Sequence, residues 1–210
     1  MYSTKTATTS NQEFTSSYMP VGINENITLK EVNVNKSPQG LDFLEIIFQN
    51  NEGQTVTMTE WKNTKNMWIK TDEDLQRRDN QQFGRILQVI DALTGSHPDF
   101  EGSSFVEMIN WVKNTLLTAY AANLANLKSV RLKVIYDKKG YTTVSKNGIF
   151  IESMDVAESQ IKLWKNDLLE RPVQADVEKP IDPLIQAANE AIALNTPVTA
   201  DSTGADDLPF

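Results

Sequence analysis

Apolar and polar positions alternate along the first third of the chain. Over 26–36, Ile27 and Leu29 keep a two-residue period, Glu31 interrupts it, and Val32 and Val34 resume it out of phase. A period of two places successive side chains on opposite faces of a strand, and a one-residue slip is the mark of a β-bulge. Ser37-Pro38-Gln39-Gly40 then supplies a turn. A dense apolar run with Phe43, Ile46, Ile47 and Phe48 follows over 41–49, and Asn50-Asn51-Glu52-Gly53 turns the chain back. Over 55–61, Val56 and Met58 alternate with Thr57 and Thr59. Residues 21–61 thus predict three strands joined as antiparallel hairpins.

The period then changes. Phe83, Ile86, Leu87, Ile90 and Leu93 fall at helical spacing over 80–94, and Gly95 supplies a stop. Ser104-Phe105-Val106-Glu107 is a capping-box pattern. It opens a helix predicted to reach about 127, with Phe105, Met108, Ile109, Val112, Leu116, Tyr120 and Leu124 on one face, the pattern of a core-facing helix. Strand chemistry resumes at Ser129, where Val130, Leu132, Val134 and Tyr136 alternate with Arg131, Lys133, Ile135 and Asp137. A turn at Lys138-Lys139-Gly140, an extended stretch over 141–145, a turn at Lys146-Asn147-Gly148 and an apolar strand over 149–152 follow. Ala157, Ile161, Trp164 and Leu168 form a stripe that predicts a terminal helix over 156–169, closed by Pro172. Residues 1–20, rich in Ser, Thr and Asn, predict a mobile arm. Residues 171–210 carry few large side chains and predict a disordered acidic tail.

Three strands, helices, then two or more strands is the order of an OB-fold, a five-stranded Greek-key barrel with a helix between its third and fourth strands. The predicted class is therefore α+β, mainly β: an OB-fold domain over 21–170 with a helical insertion at about 71–127. Some other small α+β domain shares the same order of elements.

Charge changes the picture less than its distribution does. The net charge is −8. Residues 171–210 hold seven acids against two bases, a balance of −5, which leaves −3 for residues 1–170. Within those, 128–146 carry six bases (Lys128, Arg131, Lys133, Lys138, Lys139, Lys146) against Asp137 alone. Local patches, not the total, set contact with phosphates, although a basic strip on a strand is also an ordinary solvated face. The chain has no cysteine, which removes disulfides, thiolate metal sites and Cys nucleophiles. His97 is the only histidine and sits in a Gly-Ser-His-Pro turn, so neither a zinc set nor a catalytic base is expected. Asp72-Glu73-Asp74 marks a helix start sooner than a cation site. There is no Gly-rich phosphate loop and no run of 18 apolar residues. An enzyme, a bound cofactor, a metal and a membrane partner are all unexpected.

Binding a single strand asks only for cations along a groove and flat side chains on which bases stack. Trp61, Lys62, Lys65, Trp68 and Lys70 lie within ten residues after the third strand. Tyr136 and Tyr141 flank Lys138 and Lys139 at a turn, and Lys36 sits at the first hairpin. The candidate contact set is Lys36, Trp61, Lys62, Lys65, Trp68, Arg131, Lys133, Tyr136, Lys138, Lys139, Tyr141 and Lys146. Trp61 and Tyr141 are the better stacking candidates. Trp68, beside Met67 and Ile69, reads equally as core.

The chain ends Asp206-Asp207-Leu208-Pro209-Phe210. A terminal Phe joins a ring to a free carboxylate, Pro209 restricts the backbone before it, and the two Asp add steering charge. At average residue frequencies near 5% each, these four identities at fixed places arise by chance on the order of once in 10⁵. The tail resembles the acidic tip of bacterial and phage single-stranded DNA-binding proteins, and the strand blocks 21–61 and 129–152 are similar, less specifically, to their OB-domains. The resemblance implies a non-enzymatic protein of replication, recombination or repair in the cytoplasm of a bacterium or a phage-infected host. Such a protein coats single-stranded DNA and recruits a polymerase, helicase-primase or nuclease through Asp206, Asp207, Leu208, Pro209 and Phe210. The long helical segment departs from the compact bacterial form, so tetramer contacts do not carry over and homo-oligomerisation stays open. The alternative is an adaptor protein that docks a partner through its tail without binding nucleic acid.

Overall fold

The computed structural model describes residues 17–122 and 128–172, which fall in the first of two units, Met1–Val173 and Gln174–Phe210. The element order is β1 (Gly22–Lys36), β2 (Asp42–Gln49), β3 (Thr55–Trp61), α1 (Asp72–Thr94), α2 (Phe105–Ala122), β4 (Val130–Tyr136), β5 (Thr142–Val144) and β6 (Ile151–Ser153). The sheet runs β3-β2-β1-β4-β5, with β6 paired to β4. All of these strand pairings are antiparallel.

β1 is long enough to serve both halves of the sheet. Its first residues pair with β4 (Gly22 opposite Val134, Ile27 opposite Val130), and the rest pairs with β2 (Thr28 opposite Gln49, Lys36 opposite Asp42). Two register shifts bend it, one between Asn24 and Ile27 and one between Leu29 and Glu31. The second is the slip visible in the sequence pattern. At the first, Asn26 takes φ 56°, the left-handed region that Asn tolerates better than most residues. A bulged strand coils more strongly, and this one curls the sheet until β3 and β5 become neighbours. The result is a nearly closed antiparallel barrel with helices, compatible with an OB-like fold.

The barrel interior is filled from alternate positions: Leu44, Ile46 and Phe48 of β2, Val56 and Met58 of β3, Leu132 and Val134 of β4. The helices between β3 and β4 join the same core. α1 contributes Ile86, Val89, Ile90 and Leu93, and α2 contributes Met108, Ile109, Val112 and Leu116. Burying each such side chain contributes about 1.5–3 kcal/mol. Phe83, Phe100 and Trp111 pack together beside it, with ring centroids 4.8–5.8 Å apart. The capping box forms as read: Ser104 Oγ accepts from the Glu107 N–H (3.2 Å) and Glu107 Oε2 accepts from the Ser104 N–H (3.2 Å). The Ser103 N–H, then the Ser103 hydroxyl and the Ser104 donors, hold the Glu107 carboxyl below its ordinary value.

α1 starts earlier than the apolar period announces. Thr71 caps it by accepting from the Asp74 N–H (3.1 Å), and Asp72, Glu73 and Asp74 fill its first turn, where carboxylates favour the helix dipole. Gly95 ends it at φ 92°. The helix expected over 156–169 is absent: the segment runs irregularly across the outside of β4. Three of its carbonyls are taken by β4 instead of by its own amides. Arg131 donates to the Val156 carbonyl (2.8 Å), Lys133 to Lys162 (2.9 Å), and the Tyr136 N–H to Leu168 (2.8 Å). Among the described residues no helix is long and apolar enough to cross a membrane.

Candidate nucleic-acid interface

The outer face of β2 and β3 is built by the complement of the core pattern. With Leu44, Ile46 and Phe48 turned inward, Phe43, Glu45, Ile47 and Gln49 turn outward; on β3, Thr55, Thr57, Thr59 and Trp61 do the same. The register sets Phe43 opposite Trp61, Glu45 opposite Thr59 and Ile47 opposite Thr57. Phe43 and Trp61 stack with centroids 4.3 Å apart and planes inclined by 24°, and Trp61 remains 43% exposed. A base that stacks there meets a ring already held in place. Lys36 ends β1 at the same hairpin end, where it pairs with Asp42 on the opposite face of the sheet from Phe43, and makes only a loose contact with that carboxylate (3.6 Å). Lys62 follows Trp61 and is exposed. The carboxylates on this face are engaged by neighbouring amides: Asn35 Nδ2 donates to Glu45 (3.0 Å) and Asn33 Nδ2 to Glu31 (3.2 Å).

The free edge of β3 is sealed mostly by side chains. Thr143 Oγ1 donates to the Thr57 carbonyl (3.4 Å), Lys146 Nζ to the Thr59 carbonyl (2.8 Å) and Gln82 Nε2 to the Trp61 carbonyl (2.8 Å). Glu60, buried beneath, gathers Gln82 (2.7 Å), Lys146 (3.0 Å) and Arg85 (3.2 Å). Lys146 is thus a fastener between β3 and the turn after β5, with 41% of its side chain still exposed.

At the far end of β3, about 20 Å from Trp61 by strand rise, stands the turn between β4 and β5. Asp137 Oδ1 accepts from the Lys139 N–H (2.8 Å) and the Tyr141 N–H (2.9 Å), and Gly140 takes φ 81°. This fixes the turn with Lys138 and Lys139 exposed and Tyr141 59% exposed, while Tyr136 is half-buried below them.

Two residues expected at the contact surface belong elsewhere. Lys133 is fully buried and bonds Asp167 (2.9 Å) and the carbonyls of Asn147 (3.1 Å) and Lys162 (2.9 Å). Asp167 also accepts from Ser145 Oγ (3.1 Å), Asn147 Nδ2 (2.9 Å) and the Trp164 N–H (2.8 Å). Burial pushes its carboxyl up, but the Trp164 N–H, the Asn147 amide and the Lys133 ammonium together hold it below its ordinary value. Arg131 keeps 14% of its side chain exposed and is clamped between Glu25 (3.1 Å) and Glu152 (3.2 Å). The basic positions of β4 therefore fasten the 154–172 segment to the barrel and offer phosphates little or nothing.

Trp68 is 82% exposed, not core. Its loop is ordered: Asn66 Oδ1 accepts from the Trp68 N–H (2.8 Å) and the Ile69 N–H (3.0 Å), Ile69 is buried, and Lys65 pairs with Asp72 (2.7 Å). His97 lies in a loop with Nδ1 2.7 Å from Asp91. Phe43 is the residue that sequence reading placed in an apolar run and that the structure places on the outer face. Asp206, Asp207, Leu208, Pro209 and Phe210 lie outside the described residues. No family model matches the chain, and no curated protein matches it.

Proposed function

We propose that this protein is a non-enzymatic single-stranded DNA-binding protein built on an OB-fold, which coats exposed strands and recruits replication, recombination or repair proteins through its C-terminal tip. One observation carries the reading: a pre-stacked pair of a half-buried Phe43 and an exposed Trp61 at the end of a threonine-lined strand face, with lysines near both ends of that strand. Flat rings receive bases of any sequence and scattered cations track the backbone, the combination that non-specific single-strand binding uses. The strand order with β3 beside β5 and helices between β3 and β4 supports the OB assignment. The Asp-Asp-Leu-Pro-Phe run over 206–210 supports recruitment, since an aromatic ring, a proline and two steering charges stand on five residues.

The test is titration of the full chain with oligothymidine while following tryptophan fluorescence. Quenching, weaker binding to duplex and affinity that falls with salt are expected. Absence of binding near 50 mM salt, a condition favourable to phosphate contacts, overturns the reading and leaves an adaptor protein that acts through its tail. Deleting Asp206–Phe210 is expected to leave strand affinity intact and to abolish capture of replication proteins.

A further inference from the structure

A second aromatic site lies at the opposite end of β3, and it is made in part by residues that sequence reading assigned to the terminal segments, Tyr18, Pro20 and Arg171. A cleft of about 410 Å³ is lined by Tyr18, Pro20, Gln54, Tyr136, Tyr141 and Arg171 among others, and none of its lining residues among those described is acidic. This volume lies in the range of sites that enclose small ligands. Beside Gln54, three further segments distant in sequence converge there, each held by its own contacts. The Met19 N–H donates to the Thr55 carbonyl (3.1 Å) and the Thr55 N–H to the Ser17 carbonyl (3.0 Å), so 17–19 add to the edge of β3. Met19 is fully buried, while its neighbour Tyr18 stays 61% exposed. Asp137 fixes Tyr141 by accepting from its N–H. Arg171 Nε donates to the Gly140 carbonyl (3.1 Å) and packs so closely that a Cβ on Gly140 would lie 3.2 Å from it. That bond uses one of the five guanidinium donors.

We infer that this cleft holds one nucleotide of the bound strand, its base against Tyr18 and Tyr141 and its phosphate toward Arg171, with Lys138 and Lys139 carrying the backbone past it. The inference rests on the single-strand reading above. Tyrosine-lined grooves also accept proline-rich peptides. The cations at this end, with no carboxylate among the described lining residues, favour the anionic ligand, since an uncharged peptide draws nothing from them.

The experiment uses the full chain and oligothymidine carrying one 5-iododeoxyuridine, moved along the strand and photocrosslinked, with the adduct located by mass spectrometry. Crosslinks to Tyr18 or Tyr141 are expected from positions several nucleotides away from those that reach Trp61. Tyr18→Ala with Tyr141→Ala is expected to weaken binding of a long oligomer by about fivefold or more, the loss of one stacked base, while Tyr18→Phe with Tyr141→Phe retains it. Arg171→Gln lowers the salt slope by about 0.7. If the wild-type chain binds DNA and quenches, yet no adduct forms in the cleft and these variants bind normally, the cleft is not a nucleotide site and the Phe43–Trp61 reading stands alone. If the wild-type chain binds no DNA, both readings fall. Tyrosine-dependent binding of a polyproline peptide in the absence of any such adduct assigns the cleft to a peptide.

Discussion

The outer faces of β4 and of the β2–β3 hairpin differ in an instructive way. In sequence, β4 is the more promising surface for a polyanion, with Arg131 and Lys133 on one face, whereas β2 and β3 present Phe43, Glu45, Ile47, Thr57, Thr59 and Trp61. In the folded chain the promise reverses. The β4 face is roofed by residues 154–172, and its cations face Glu25, Glu152 and Asp167. The β2–β3 face has no such cover among the described residues and exposes Trp61, stacked on a half-buried Phe43. A buried cation without a partner costs several kcal/mol, so a strand that is to be covered must bring its counter-ions with the cover. Positive charge in a sequence marks a binding surface only where the fold leaves it in water.

The sharpest way to break this contrast is to strip the roof. Asp167→Ala leaves the Lys133 ammonium buried without its carboxylate and removes the acceptor for Trp164, Ser145 and Asn147. The expected cost is about 3–5 kcal/mol, on the order of 10 °C in Tm, read by thermal unfolding. If the stability hardly changes, Lys133 has found water and the β4 face is not sealed. The same roof is sensitive to acid. Asp167 and Glu152 both have carboxyls held below their ordinary values of 3.8 and 4.5, Glu152 against its burial by Ser159, the Gln160 N–H and Arg131. A depressed folded-state value contributes stability above the ordinary one and loses it as pH falls through the folded one. Denaturant midpoints are therefore expected to decline from about pH 4.5 downward, and less steeply in Asp167→Ala.

β1, β3 and β4 are legible in the sequence because period two survives in most of their length, β2 because a dense apolar run stands between two turn signals, and the bulge because Glu31 breaks the period. The apolar period understates α1 because 72–79 contain one apolar residue, Leu75, and the signs of helix there are a Thr71 cap and three acids. The segment after β6 misleads for a physical reason. Its stripe has helical spacing, but of its residues only Ile161 is buried; Trp164 and Leu168 stay 55% and 40% exposed. Its carbonyls face donors on β4, a partner 25 or more residues away that no local pattern reveals. On the candidate site, Trp61 and Tyr141 stand exposed where turn and strand ends place them. Phe43 is hidden inside an apolar run, although its phase, opposite to Leu44, Ile46 and Phe48, is the signal that finds it. Lys133 is unreadable because its partner lies 34 positions along the chain.

On the open face, Trp61→Ala removes one stacking platform and frees Phe43 from its partner. Strand affinity is expected to fall by roughly 5- to 150-fold, corresponding to about 1–3 kcal/mol for one base, with circular dichroism unchanged. An unchanged affinity removes the hairpin face from the contact surface. Lys138→Ala with Lys139→Ala is expected to act through salt. Two fewer cations on the phosphates of a single strand reduce the slope of log K against log salt by about 1.4, and the variant departs from the parent most at low salt.

Lys36→Ala is the smallest effect and the one that fixes the path of the strand. Lys36 lies across the hairpin from Asp42, 70% exposed, with a 3.6 Å contact too long to hold it. A surface pair of that kind contributes about 0–1 kcal/mol to stability, so the variant folds as the parent does. If the strand leaves the Phe43–Trp61 platform past the β1–β2 turn, one phosphate loses its cation and the slope falls by about 0.7. If the strand instead leaves toward Lys62 and the loop that carries Trp68, Lys36→Ala leaves the slope untouched and Lys62→Ala lowers it. Measuring both slopes in parallel separates the two exits.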